Sequence, residues 1–275
     1  FMSKKAQDLY LSGSKFTGSG SGTYTDNTIK GENIRVEKSI IYAEGVPEIS
    51  VNDTTIELHG DNKVNRQVLL DDESKTIKIA GRGLKSPIFG ISFESKKGVF
   101  VDNFSFRGIT GVELKKLSED FMKSIQQANK YDLIIVQYGV NLLFRPKDTD
   151  YTYYYKSFEP TLQQMKSAFS GSEILIIGSA DRAFRYNGVN KTAIGLPYLI
   201  ENQALIAYRN GFAFYNQFET MGGENSIVKW AEQTPPMANK DYIHPNHRGA
   251  EFLGRKLFDA IQKDYQQISK NTQKK

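Results

Sequence analysis

The sequence contains no cysteine, which excludes disulfide bridges, cysteine-ligated metals and a thiol nucleophile. It also has no apolar run close to the about 20 residues of a membrane-spanning helix, so no transmembrane segment is expected. No signal peptide is visible. However, the opening residues Phe1-Met2-Ser3-Lys4 are unlike a natural start, and we expect that sequence before Phe1 is missing.

Positive charge is in mild excess, with 36 basic and 31 acidic residues and a formal net charge of +5. The lysines concentrate at the two ends of the chain. A solvated basic tail at residues 269–275 accounts for them better than a nucleic-acid site, so no nucleic-acid partner is expected. Hydrophobic residues make up 39% of 275 residues, enough for a real core in one large or two small domains.

The first hundred residues favour β-structure. Residues 1–11 predict a short helix, and the Gly/Ser-rich residues 12–22 predict a linker or a tight loop. Residues 26–100 hold closely spaced runs of β-forming residues without helices, which is typical of an antiparallel sandwich. The clearest predicted strands are 64–70, 76–80, 88–93 and 99–106.

After Gly108 the pattern changes to α/β. Continuous apolar runs predict buried strands at 132–138, 173–178 and 212–215. Helical periodicity predicts helices between and after them, at 112–130, 154–169, 196–210 and 246–267. The predicted fold class is therefore α/β, a three-layer α/β/α sandwich with a parallel sheet, plus an antiparallel β-rich module.

Three segments carry small or polar residues where chemistry collects in a parallel sheet, at the carboxyl ends of strands. They are residues 103–111 with Gly108, residues 137–141 with Asn141, and the loop from Asp241 to His244 before the last helix.

At these residues the sequence resembles the SGNH hydrolase superfamily, whose pattern has a serine block, a glycine block, an asparagine turn and an Asp-x-x-His loop. The chain supplies the last three in that order. Further residues are similar to the peptidoglycan O-acetylesterases, which carry a β-rich module inserted between the serine and glycine blocks. Those residues are Leu196-Pro197-Tyr198, residues 211–215, Met221-Gly222-Gly223 and Trp230.

The resemblance implies a role for each block. His244 would take the proton of an attacking alcohol, and Asp241 would orient the imidazole. The N–H of Gly108 and the amide of Asn141 would form the oxyanion hole. No metal or organic cofactor is implied, because the Asp-His pair needs none.

Plainer interpretations exist for each residue. An Asp-x-x-His tetrapeptide is frequent by chance, Asn141 could cap a turn, and Gly108 could be only a turn glycine. Their order along the chain favours the functional interpretation. The other two histidines, His59 and His247, are expected to be structural or exposed. Aromatic packing is expected for the tyrosines at 151–155, and an architectural role for Trp230.

The serine block is absent from the sequence, which contains no Gly-Asp-Ser. Ser105 and Ser179 follow strands but lack its context. Because residues 1–11 look like the helix that follows such a block, we expect the nucleophile within about ten residues upstream of Phe1. Two explanations stay open: the chain is a fragment of an active enzyme, or the natural protein has lost its serine and binds without catalysis.

The expected function is that of a serine esterase removing O-acyl groups, in particular O-acetyl, from a cell-wall glycan or polysaccharide. Alternatives are a non-catalytic glycan-binding scaffold and an O-acetyltransferase using the same site. The partner would be the acylated glycan, and the resemblance implies an extracytoplasmic location, periplasmic or at the cell surface. The expected organisation is 1–25 in the catalytic domain, 26–100 as a β-rich module that could bind carbohydrate, 101–268 as the catalytic α/β domain and 269–275 as a tail.

Overall fold

The computed structural model describes residues 15–30, 34–104 and 108–272. The chain divides into two units. The first, called the β-rich unit, comprises Phe1–Arg107, Lys115–Tyr131 and Ser167–Ser170. The second, called the α/β unit, comprises Gly108–Leu114, Asp132–Lys166 and Gly171–Lys275.

The β-rich unit is built on a six-stranded sheet in which all pairings are antiparallel. Its strands are β1 (Phe16–Thr25), β2 (Val36–Tyr42), β3 (Glu48–Val51), β4 (Thr54–Glu57), β5 (Asn65–Asp72) and β6 (Thr76–Glu94). The order is β4-β3-β6-β2-β5, and β1 also pairs with β6. Side chains of alternate residues pack into one core that includes Ile40, Tyr42 and Ile77. The helix α1 (Glu119–Asn129) belongs to this unit.

Two predictions in this region were wrong. The Gly/Ser-rich stretch is not a connector from Phe16 onward, because its backbone pairs with β6 although its side chains remain largely exposed. The strand predicted at 99–106 is absent from its described residues, 99–104. The side chains of Val99 and Val101 are exposed and do not pack against a core. The predicted strands 76–80 and 88–93 are parts of the single strand β6. The predicted helix at 1–11 lies outside the described residues.

The α/β unit contains a three-stranded parallel sheet in the order β11-β8-β7. Its strands in chain order are β7 (Leu133–Gln137), β8 (Glu173–Ile177), β9 (Ala183–Tyr186), β10 (Val189–Thr192) and β11 (Ala213–Tyr215), of which β9 and β10 form a separate hairpin. Its helices are α2 (Thr152–Ala168), α3 (Leu196–Asn210), α4 (Gln217–Met221), α5 (Ser226–Glu232) and α6 (His247–Thr272). None of the helices in the described part of the chain is long and apolar enough to cross a membrane.

The helix predicted at 112–130 is interrupted. A 3-10 turn covers Val112–Lys116, and α1 starts only at Glu119 because the Ser118 side chain accepts the N–H of Phe121 and caps the new helix. The hairpin of β9 and β10 was missed, although Asn187-Gly188 between them is a hairpin signal, with both residues at positive φ.

Candidate active site

The loop before α6 brings Asp241 and His244 together. The Nδ1 atom of His244 lies 2.7 Å from Oδ2 of Asp241, so the predicted hydrogen bond between them is present. The other carboxylate oxygen, Oδ1, accepts the backbone N–H groups of Ile243 at 2.9 Å and of His244 at 3.1 Å. A short carboxylate can bond backbone groups two and three residues ahead, so the loop itself fixes the orientation of Asp241.

Opposing effects set the protonation state of Asp241. Burial raises its pKa, but the hydrogen bonds from the His244 ring and from the backbone of His244 and Ile243 outweigh burial and hold the pKa below its ordinary value. An ionised carboxylate only accepts hydrogen bonds, so Nδ1 of His244 carries the proton that it donates. The second ring nitrogen, Nε2, is then free to accept a proton, and the side chain is 66% exposed to solvent.

The turn that carries Asn141 follows β7. Gly139 has φ +140°, and a Cβ atom there would lie 2.6 Å from Cβ of Ser179, so only glycine fits. Gln203 on α3 holds the ends of two strands: its Nε2 donates to the carbonyl of Tyr138 at 2.8 Å, and its Oε1 accepts the N–H of Ser179 at 2.9 Å. The turn is therefore built into the sheet edge rather than free to move.

The glycine block meets the asparagine turn directly. Nδ2 of Asn141 donates to the carbonyl of Ile109 at 2.9 Å, next to Gly108. Gly108 is exposed, has φ +82°, and nothing lies within 4 Å of where its Cβ would be. The structure thus joins two of the predicted segments through one hydrogen bond, and Asn141 keeps a second amide proton for another acceptor.

The asparagine turn and the Asp241 loop share a hydrophobic cluster. Val140 and Tyr242 both pack against a group of buried residues from the loop after β8, from β9, α4 and α5, and from the segment after α5. These residues are Ala180, Ala183, Met221, Ile227, Trp230, Ala231 and Ala238. The N–H of Ala183 also donates to the carbonyl of Tyr242 at 3.0 Å. Trp230 is accordingly architectural.

Sequence reasoning missed one buried acid, Asp181, whose Oδ2 accepts the N–H of Ile227 at 2.9 Å and the hydroxyl of Ser226 at 3.2 Å. These bonds satisfy the amino end of α5. Burial raises the pKa of Asp181, and the hydrogen bonds offset this only in part. Its position four residues after the end of the buried strand β8 was the available signal.

Other predicted features resolve simply. Tyr151 and Tyr154 are buried, and the Tyr154 ring stacks on Phe158 with centroids 4.8 Å apart, so these tyrosines pack in the core. Within the described ranges, no group of three or more histidine or acidic side chains could hold a metal ion. Ser105 lies outside the described residues.

No family model and no curated protein matches the chain. Among solved structures, a peptidoglycan O-acetylesterase matches with a TM-score of 0.74 and 22% identity, covering 93% of this chain and 72% of the other. A lipase/acylhydrolase from Enterococcus faecalis matches at 0.36 and 15%, covering 53% and 70%. A family two carbohydrate esterase from Clostridium thermocellum, in complex with cellohexaose, matches at 0.35 and 11%, covering 91% and 94%. The TM-scores of the last two matches are too low to show a shared fold. The first match confirms the resemblance at the level of architecture: this chain has an SGNH-like hydrolase fold.

Proposed function

We propose that the protein is a serine esterase that removes O-acyl groups, in particular O-acetyl groups, from a cell-wall glycan or a related polysaccharide. The observation that carries the proposal is the 2.7 Å bond between Asp241 and an exposed His244 ring. Such a pair can act as a general base through the second ring nitrogen, Nε2. The substrate class follows the matched structure, which is a peptidoglycan O-acetylesterase.

In the proposed reaction, a serine hydroxyl attacks the ester carbonyl carbon and its proton passes to Nε2 of His244. The tetrahedral intermediate expels the sugar oxygen, which takes that proton and leaves an acyl-enzyme. Water then attacks the acyl-enzyme with the same base, and the acid is released. Asp241 stays ionised throughout and stabilises the imidazolium.

The negative charge of each intermediate would fall on the former carbonyl oxygen. We assign its donors to the N–H of Gly108 and to the side-chain amide of Asn141. The bond from Asn141 to Ile109 supports this assignment, because it places the amide beside the glycine segment and leaves one N–H unused.

The nucleophile is proposed to be a serine in a segment that precedes Phe1 in the natural protein. Ser179 is buried and its hydroxyl donates to the carbonyl of Ala180 at 3.2 Å, which does not suit a nucleophile. Among the described residues β7 pairs only with β8, and its Leu133 and Ile135 are 42% and 44% exposed. The other edge of β7 is therefore open to a further strand, and cover on one face of β7 is incomplete, whereas parallel sheets usually have both faces covered.

Glycan contact is proposed for the β-rich unit. A pocket of about 340 Å³ lies there, and its lining includes the polar side chains of Asp61, Asn62 and Gln127. We also propose a three-layer α/β/α arrangement for the catalytic domain and an extracytoplasmic location for the protein.

The test compares two proteins: residues 1–275 alone, and the same residues together with those that precede them in the natural protein. Hydrolysis of an aryl acetate is measured for both, and a serine-reactive phosphonate followed by mass spectrometry identifies the nucleophile. We expect activity and labelling only in the extended chain. Equal activity in both would place the nucleophile within the printed sequence. An inactive extended chain that still binds acylated glycan would favour the scaffold, and acyl groups found on an added sugar acceptor would favour transfer.

A further inference from the structure

Arg182 occupies the segment between β8 and the β9 hairpin, next to the buried Asp181. Its guanidinium Nη1 donates to the backbone carbonyl of Val140 at 3.2 Å. Val140 opens the 3-10 turn that contains Asn141. The bond therefore holds the turn that presents the proposed oxyanion donor, across 42 residues of sequence.

The residue after Arg182, Ala183, bonds to the loop that runs from Asp241 to His244. Its backbone N–H donates to the carbonyl of Tyr242 at 3.0 Å. Tyr242 has φ +57°, a strained conformation for a non-glycine residue that its surroundings must maintain. Of these two consecutive residues, Arg182 thus bonds to the asparagine turn and Ala183 bonds to the Asp-His loop.

The orientation of the guanidinium is restricted on its other side. Its Cζ lies 4.7 Å from the ring centroid of Phe184, a stacking contact that arginine makes better than lysine. Burial lowers the pKa of Arg182, while the charges of Tyr151 and Asp241 raise it in part, so Arg182 senses the charge of Asp241. An arginine retains its proton in such a setting, and its positive charge favours the ionised form of Asp241.

We propose that Arg182 is a positioning residue of this site: its guanidinium holds the Asn141 turn, while the backbone N–H of the adjacent Ala183 holds the Asp241–His244 loop. The expected effect on catalysis rests on the proposed function, whereas the hydrogen bonds of Arg182 and Ala183 do not. The side chain acts on the asparagine turn through Val140, and its charge acts on Asp241.

The test uses three variants. Arg182→Met removes the charge and the donor but keeps the length of the side chain, and Arg182→Lys keeps the charge without the planar fork. The matched control is Arg185→Met, because Arg185 is exposed and its Nε bonds only within its own hairpin, to the carbonyl of Gly188.

The first readout needs no activity. In the protein labelled with ¹⁵N at asparagine and histidine, the side-chain amide signals of Asn141 and the ring signals of His244 are followed by NMR. We expect both to shift in Arg182→Met, only those of Asn141 in Arg182→Lys, and neither in Arg185→Met. If Arg182→Met unfolds the protein, Arg182→Lys alone decides.

The second readout is hydrolysis of an aryl acetate by the chain that contains its nucleophile. Misplacing a group indirectly can cost about 100-fold, so we expect Arg182→Met to lower kcat by that order with KM nearly unchanged. Site signals and kcat that match Arg185→Met would overturn the proposal. Shifted signals in a protein that hydrolyses no ester in any form would leave the positioning role standing and refute the proposed function instead.

Discussion

The two units use charged side chains in different ways. In the β-rich unit, ion pairs connect strands or strand ends of one sheet: Arg66 pairs with Glu94, and Lys38 with Asp72. In the α/β unit, the Asp241–His244 pair lies within a single loop and is open to solvent. The difference shows two uses of charge, one that holds strands together and one that fixes the orientation of the His244 ring.

The largest effect is expected when the reactive ring is removed. His244→Ala should lower esterase activity by about a million-fold, because members of a catalytic triad act as a unit. The melting temperature should barely change, since the side chain is mostly exposed. Aryl acetate hydrolysis measures the first and thermal unfolding the second. His247→Ala is the control, with an exposed histidine three residues away; equal activity in the two variants would show that His244 is not the base.

A smaller loss is expected from Asp241→Asn, on the order of ten-thousand-fold in kcat, because the amide favours the wrong tautomer of His244. The measurement is kcat for the aryl acetate, with Asp71→Asn as the control, since Asp71 pairs with Arg35 and Lys96 in the β-rich unit. A loss similar to that in the control would mean that Asp241 only shapes its loop.

The β-rich unit should respond in stability rather than in activity. Lys38 is fully buried, so Lys38→Ala should lower the free energy of unfolding by about 2–5 kcal/mol, as for other buried long side chains. Lys38→Met keeps most of the packing and should cost less than about 1.5 kcal/mol, because the remaining Asp72 is partly solvated.

Urea unfolding measures these changes. Lys78→Ala is the control, since it breaks an exposed pair with Asp53 and should cost less than about 1 kcal/mol. A cost for Lys38→Ala no greater than that of Lys78→Ala would contradict the idea that the buried Lys38 side chain holds these strands together.

The smallest effect concerns two aspartates with opposite pKa shifts. The pKa of buried Asp181 is raised, so between its unfolded value near 3.9 and its folded value the native state binds more protons and stability falls as pH rises. Asp181→Asn removes this contribution. The unfolding free energy of the wild type should therefore decline relative to that of the variant as pH rises above about 4. For Asp241, whose pKa is lowered, the unfolding free energy of the wild type relative to that of Asp241→Asn should instead rise with pH, mainly below about pH 4. A difference that is independent of pH for Asp181 would contradict its raised pKa.

Local patterns explain which elements could be predicted. The helix α3 was predicted with its observed bounds, because its apolar residues recur at helical spacing and Gly211 ends it in the left-handed conformation. The strand β1 could not be predicted, because glycine and serine have little strand preference and its place depends on backbone pairing with β6, more than 50 residues away.

The candidate site follows the same rule. The Asp241–His244 bond joins residues three apart, so the motif was visible in the sequence. The bond from Arg182 to Val140 depends on the folded sheet, and no local pattern indicates it.

Acetate release from O-acetylated peptidoglycan tests the proposed function most directly, using the protein with its natural preceding residues and the His244→Ala variant beside it. We expect steady release of free acetate by the wild type and none above background by the variant. Equal release by both proteins, or no release by a wild type that still binds the polymer, would contradict it.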